Sequence, residues 1–323
     1  MRCFILAGGF ATRLWPLTER RAKPLLPIAG KPIISYLIEQ VPEDIPVTVS
    51  TNAVFADDFR EWKKGVGRKN LDVLIEDTGH EDQKLGALGA VAQWIKSSHI
   101  DDDLLLLAGD NYAAINLRDF LALRKDQPLL AAHDIADPEL AKQFGTIIVK
   151  EGAEGVKRVI SFEEKPLHPK STFVSTGWWY LPKTCLSVLC EYAASHPDNV
   201  GGIFEEFLRR EIPVDCFTFH ETWRDIGSFD SYLSLHRELL SERQIIDPST
   251  TTTDATLEGS VVVGPKCLLQ KSTIRDCIIF GNTRIQDCVL ERCIIDENCS
   301  LTGLDLTDKM VRANTVFKNR ISW

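Results

Sequence analysis

The chain lacks a basic charge balance, a long apolar run and closely spaced cysteine pairs. Its 37 Lys and Arg against 46 Asp and Glu leave a formal charge of -9, which argues against a nucleic-acid coat or an anionic membrane surface, since both favour basic proteins. A cationic site must therefore be local. No uncharged apolar run of about 18 residues exists, so no membrane span is expected, and Cys3 to Ala7 is too short for the core of a secretion signal. The nine cysteines are odd in number and contain no C-x-x-C pair, which fits reduced thiols and a cytoplasmic location. All seven histidines end at His236, so Cys267, Cys277, Cys288, Cys293 and Cys299 have no histidine partner for a zinc site, and they are read as buried small side chains. The patterns G-x-G-x-x-G and G-x-x-x-x-G-K-[ST] are also missing, so the dinucleotide-binding and P-loop mechanisms do not transfer.

What is present is an ordinary globular composition, 44% hydrophobic and 26% charged over 323 residues, enough for a large domain plus a smaller one. Up to about residue 240, short apolar runs alternate with amphipathic ones, the grammar of a largely parallel sheet with helical crossovers. Expected strands are Cys3 to Ala7, Val47 to Thr51, Val73 to Glu76, Leu104 to Ala108, Leu129 to His133 and Val214 to Phe219, with a hairpin from Thr146 to Val149 and Val156 to Phe162. Helices are expected from Pro32 to Val41, Phe55 to Lys64, Gly86 to Ser97, within Thr184 to Arg210, and from Ser228 to Ser241. The boundaries read as 1–243 for a catalytic domain, 244–254 for a polar linker and 255–323 for a second domain with a C-terminal tail. In that last stretch "IRDCIIF" is echoed eleven residues later by "IQDCVLE", and Cys277, Thr283, Val289, Ile295 and Leu301 recur every six residues. A six-residue period predicts a parallel β-helix; an antiparallel β-layer stays open as the alternative.

The chemistry gathers in a few segments. Gly8 and Gly9 follow the first strand, where main-chain N–H groups can approach an anion. Arg13 brings a planar donor fork and Lys23 a compact charge, on a segment stiffened by Pro16, Pro24 and Pro27. A stiff basic loop suits a polyanion. Asp110 follows the buried-strand run "LLLLAG" and so sits at a strand's carboxyl end, where open α/β sheets bind ligands.

"LAGGFATRLWPLTERRAKPLLPIAGKP" resembles the signature G-G-x-[GA]-T-R-L-x-P-L-[ST] followed by K-P-[LM]-[LV]-P of the sugar-1-phosphate nucleotidylyltransferases. "LGALGA" at 85–90, "LAGDNY" at 107–112, "FEEKP" at 162–166, "STGWWY" at 175–180 and "WRDIGSFDSYL" at 223–233 are similar to the family's other motifs, in the same order. The closest likeness is to glucose-1-phosphate thymidylyltransferase-like enzymes with a C-terminal left-handed β-helix. The resemblance implies an α/β, Rossmann-like mixed, mostly parallel sheet followed by a short parallel β-helix. It further implies catalytic roles for Arg13 and Lys23, and nucleotide contacts at Gly8, Gly9, Ala11, Thr12 and Gly86. Asp110 and Asp225 match the family's Mg²⁺ carboxylates, while Gly145, Glu164 and Lys165 match its sugar-phosphate site; Trp223 is a candidate platform for the sugar ring. The base reader is not fixed, because "EDTGHEDQK" departs from the family pattern. Gln83 or Glu81 would serve, an amide suiting thymine or uracil and a carboxylate suiting guanine.

The implied reaction joins a nucleoside triphosphate to a sugar 1-phosphate and expels pyrophosphate, with dTTP or UTP and glucose 1-phosphate favoured and GTP open. The implied partners are those two substrates and further copies of the chain in a homo-oligomer. The rival reading is a non-catalytic regulatory or assembly subunit of the same architecture. An acyltransferase β-helix would ordinarily need a histidine base there, which the sequence does not supply.

Overall fold

The computed structural model describes residues 1–10, 12–76, 85–152 and 156–319. They form two compact units, one of Met1–Phe10 with Ile33–Arg224 and the other of Ala11–Pro32 with Asp225–Trp323.

The first unit is built on a nine-stranded mixed sheet. Its order is Leu71–Glu76, Val47–Asn52, Arg2–Leu6, Leu104–Ala108, Phe173–Leu181, Leu129–Asp134, Asp215–Phe219, Lys157–Glu164 and Gly145–Glu151. The first four strands are parallel, joined by helices Ile33–Gln40, Ala56–Val66 and Ala87–Ser97. The apolar runs of Arg2–Leu6 and Leu104–Ala108, which lie inside the sheet, follow from burial on both faces. The first strand has neighbours on both sides that follow it in sequence, so the chain reverses direction across the sheet between Arg2–Leu6 and Leu104–Ala108. That is where open sheets of this kind leave a crevice.

Phe173–Leu181 pairs antiparallel with Leu104–Ala108 and Leu129–Asp134. It is the strand that sequence periodicity missed, because its bulge between Ser175 and Trp179 breaks the alternation. Gly177 sits in that bulge at φ +76, where a Cβ would approach the Ala108 Cβ to 2.8 Å. The core beneath the sheet includes Phe4, Leu106, Trp179, Phe204 and Phe207.

In the second unit, three parallel sheets wind around a β-helix core of Cys, Val, Leu and Ile side chains. The polar stretch 244–254, expected as a linker, carries Gln244–Ile246 and Thr251–Thr253, which pair parallel with Val261–Val263 and Leu268–Gln270. It is the first coil. Partners in successive coils are 17 residues apart at first (Thr256 to Thr273) and then 16 (Thr273 to Val289). The strict six-residue period is thus corrected: the buried corner residues Cys267, Ser272, Cys277, Thr283, Cys288, Cys293 and Cys299 are spaced 5, 5 and 6. Val289, counted in the six-residue series, is 48% exposed.

Each corner follows a residue in the left-handed region, such as Lys266, Lys271, Asp276 or Asn282, and each bears a small hydrogen-bonding side chain. Those side chains stitch the coils. The single Cys277 S–H has the Arg275 and Leu290 carbonyls within reach, and its sulfur accepts from the Cys293 N–H, while Thr283 plays the same part between Asp296 O and the Cys299 N–H. Serine, threonine and cysteine interchange because all three supply one donor and accept a main-chain N–H.

Candidate active site

In the first unit, the first strand, Arg2–Leu6, is followed two residues on by Gly8, whose carbonyl accepts from the Asn52 side chain at 3.0 Å. A Cβ on Gly8 would lie 2.8 Å from Glu76 Oε1, whereas one on Gly9 would meet nothing within 4 Å. Glu76 closes its own strand and accepts from Ser50 Oγ at 2.6 Å. Burial raises its carboxyl pKa, partly opposed by that hydroxyl.

Beside this loop the Gly109 N–H donates to the Leu6 carbonyl at 2.8 Å, and a Cβ on Gly109 would come within 2.7 Å of that oxygen. The glycine therefore lets Leu104–Ala108 close on the first strand and delivers Asp110 to the same edge. Asn111 then donates its side-chain amide to Asp110 Oδ1 at 3.1 Å.

Gly86 precedes helix Ala87–Ser97 at φ +76 and packs so tightly on Pro197 that a Cβ would sit 2.4 Å from its carbonyl carbon and oxygen. The Leu88 and Gly89 N–H groups donate to that same carbonyl, so part of the helix N-terminus is satisfied internally.

Glu164 ends strand Lys157–Glu164, its carboxylate lodged between two glycines. A Cβ on Gly145 would be 2.8 Å, and one on Gly201 1.9 Å, from Glu164 Oε2. Burial raises its pKa most, while Lys165, 3.7 Å away, pulls it down and Glu205 pushes it up. Lys165 is exposed at φ +46 and donates its N–H to Phe144 O. Gly145, Glu164 and Lys165 are thus neighbours. Trp223 is 4% exposed, packed against Phe144 and His133; its ring is part of an aromatic cluster, not an open platform. Trp178 and Trp179 are core residues.

In the second unit, the segment with the basic residues is anchored by buried Leu14, Leu17, Leu26 and Ile28. Thr12 and Arg13 are exposed. Lys23 opens a short 3-10 turn, is 7% exposed, and donates to Asp225 Oδ1 at 2.8 Å. An ammonium this far from water needs such a partner. The Tyr232 hydroxyl donates to Pro27 O, and the Ala29 N–H points at His236 Nδ1, tying the segment to helix Phe229–Leu240.

Ala11, Gln83 and Glu81 lie outside the described residues. Sequence reasoning missed Glu76, Gly109 and Gly201. The "LAGD" motif contained the signal for Gly109; Glu76 and Gly201 are visible only once separate segments meet. Among the described residues, no group of three or more His, Cys, Asp or Glu is placed to hold a metal ion, and no helix is long and apolar enough to cross a membrane.

Residues 2–242 match the sequence model of the family described as nucleotidyl transferase. A Streptomyces antibioticus glucose-1-phosphate thymidylyltransferase is 24% identical over 98% of this chain and 88% of its own length. A Sulfolobus acidocaldarius protein provisionally named a mannose-1-phosphate guanyltransferase is 28% identical over 73% of this chain, a match that spans 62% of that protein. Among solved structures, a Bacillus anthracis protein provisionally assigned as a glucose-1-phosphate thymidylyltransferase, in complex with sucrose, superposes with a TM-score of 0.61 at 22% identity, over 73% of this chain and 94% of that one. That likeness is one of fold.

Proposed function

The chain belongs to the nucleotidyl transferase family, and from that premise we propose that it joins a nucleoside triphosphate to a sugar 1-phosphate and releases pyrophosphate. The observation that carries the reading is Lys23, a buried ammonium in the signature loop held against Asp225 at 2.8 Å. Asp225 balances that ammonium in the folded chain, and the pair supports the reading because it joins two segments that resemble the family's motifs.

The attacking group is a phosphate monoester with its second pKa near about 6, so it is already largely ionised at neutral pH. No general base is required. The obstacle is repulsion between two polyanions, which makes positioning and charge neutralisation the main tasks. Arg13 and Lys23 serve the triphosphate and its departing pyrophosphate, Gly8, Gly9, Thr12 and Gly86 contact the nucleotide, and Glu164 holds sugar hydroxyls beside Lys165 on the sugar phosphate. The Glu164 carboxylate, wedged between Gly145 and Gly201, is fixed in place before any sugar arrives.

Mg²⁺ prefers hard oxygen donors and usually takes one or two protein carboxylates, leaving the rest of its shell to water and phosphates. Asp110 and Asp225 are donors of that class, and Asp225 already faces a cation in Lys23. Once bound, the ion would offset charge on the reacting phosphates.

The resemblance favours dTTP or UTP and glucose 1-phosphate. The relatives' names include a guanyl-, a thymidylyl- and an adenylyltransferase, so the assay must cover all bases. Purified protein is incubated with Mg²⁺, each common nucleoside triphosphate and a panel of hexose 1-phosphates, and pyrophosphate is measured. Release dependent on both substrates supports the reading; no release from any pair overturns it in favour of a non-catalytic subunit.

A further inference from the structure

Within the second unit, the signature segment is held by the β-helix through a residue that the proposed chemistry does not use. Arg21 lies two residues before Lys23. Its Nη1 donates to Asp296 Oδ1 at 2.6 Å, its Nη2 is 2.8 Å from Glu297 Oε2, and its guanidinium stacks over the Phe280 ring at 4.5 Å. All three partners belong to the β-helix. Asp296 is 2% exposed, and its Oδ1 also accepts the Glu297 N–H at 2.8 Å, so the carboxylate that receives Arg21 is itself locked.

A second pair sits at the upstream end of the same segment, where the Arg312 Nε donates to Glu19 Oε2 at 2.9 Å and its guanidinium covers the Trp15 ring. The two differ in kind. Arg312 is exposed and its pair is a surface contact of small worth. Arg21 is mostly enclosed, and losing the charge on Asp296 would leave a poorly solvated guanidinium with half its partners.

We propose that Arg21 and Asp296 are positioning residues: the β-helix serves as the template that sets the nucleotide-handling segment, and through it Arg13 and Lys23, in the geometry needed for phosphate chemistry. The inference rests on the proposed reaction for its kinetic consequence but not for its structural one. Only Ala22, itself fully buried, separates Arg21 from Lys23, and Pro24 restricts the Lys23 backbone, so a clamp at Arg21 reaches Lys23 with little slack. Misplacement of a catalytic group by about 1 Å can cost roughly 100-fold in rate.

The test uses the full chain with Asp296→Asn, Arg21→Gln and, as the exposed comparison, Arg312→Ala. Hydrogen exchange is followed by mass spectrometry over peptides covering 12–28 and the β-helix, and kinetics are measured with each substrate varied in turn. Asp296→Asn should speed exchange in 12–28 by about 10-fold or more while β-helix peptides stay protected. It should also lower kcat/KM for the nucleotide by about 10 to 100-fold with little change in KM for the sugar phosphate; Arg312→Ala should do much less.

Unchanged exchange in 12–28 for a folded Asp296→Asn protein overturns the proposal, whatever the activity. Global loss of protection in that variant and in Arg21→Gln also overturns it, since the pair would then support the fold as a whole. Absence of pyrophosphate release by the unmodified chain would instead count against the proposed reaction, leaving the exchange result to decide this inference.

Discussion

The Lys23 ammonium and the Asp225 carboxylate, 202 residues apart in sequence, meet at 2.8 Å. The contact joins the signature segment to the "WRDIG" motif in one ion pair, so a change at either residue alters the surroundings of the other.

Lys23→Ala and Arg13→Ala should each lower turnover by about 10² to 10³, the loss expected when one preorganised charge contact to a transition state is removed. Pyrophosphate release and circular dichroism check this together. Near-normal turnover in a folded Arg13→Ala protein removes that residue from the mechanism.

Chelation should silence the reaction and added Mg²⁺ should restore it. Asp110→Asn and Asp225→Asn should each raise the Mg²⁺ concentration needed for half-maximal rate, because each removes a charged oxygen donor. A magnesium titration of the three proteins decides it; identical curves would release both aspartates from the assignment.

His236 predicts how stability follows pH. It is 2% exposed, and burial pushes its pKa down to about 4 from the usual 6.5. The folded state therefore resists the proton that the unfolded chain accepts, so the stability is fully present above about pH 6.5 and is lost as pH falls toward 4. The full loss is about 3 kcal/mol. Urea melts at pH 7 and pH 5 should show part of it, and His236→Gln should flatten the difference. Equal pH slopes in the two proteins would assign the acid sensitivity to other groups.

Gly86→Ala meets two obstacles, a φ of +76 and the Pro197 carbonyl 2.4 Å from the new Cβ. Because that neighbour is main chain and cannot rotate aside, the substitution should cost about 2 kcal/mol or more. Gly9→Ala, with open space around it, should cost far less in a thermal melt. Equal losses would mean that backbone entropy, not crowding, governs both positions.

Much of the first unit was legible in the sequence because strands buried on both faces are written as apolar runs: Leu104–Ala108 carries four consecutive leucines. Phe173–Leu181 was not, since its Thr-Gly-Trp-Trp run hides a bulge that only the pairing reveals. The β-helix was legible through its echoes, but its coil length was not: corner spacings of 5, 5 and 6 imitate a six-residue repeat over short stretches and drift over longer ones. Contacts such as those of Glu76 with Gly8 and of Arg21 with Asp296 depend on tertiary arrangement, for which local patterning carries no signal.

The corner columns of the β-helix have a chemical consequence. Their thiols already spend their hydrogens on carbonyls, burial pushes Cys299 up to about 11 and also raises Cys288 and Cys267, and Cys293, which its contact with Cys277 pulls down instead, is fully buried, so these sulfurs are shielded from reagents while the coils are wound. Of the nine cysteines, Cys190 alone is not buried. A thiol reagent added to the native protein would therefore mark that one sulfur first, and later labels at Cys267, Cys277, Cys288, Cys293 and Cys299 would time the unwinding of the coils.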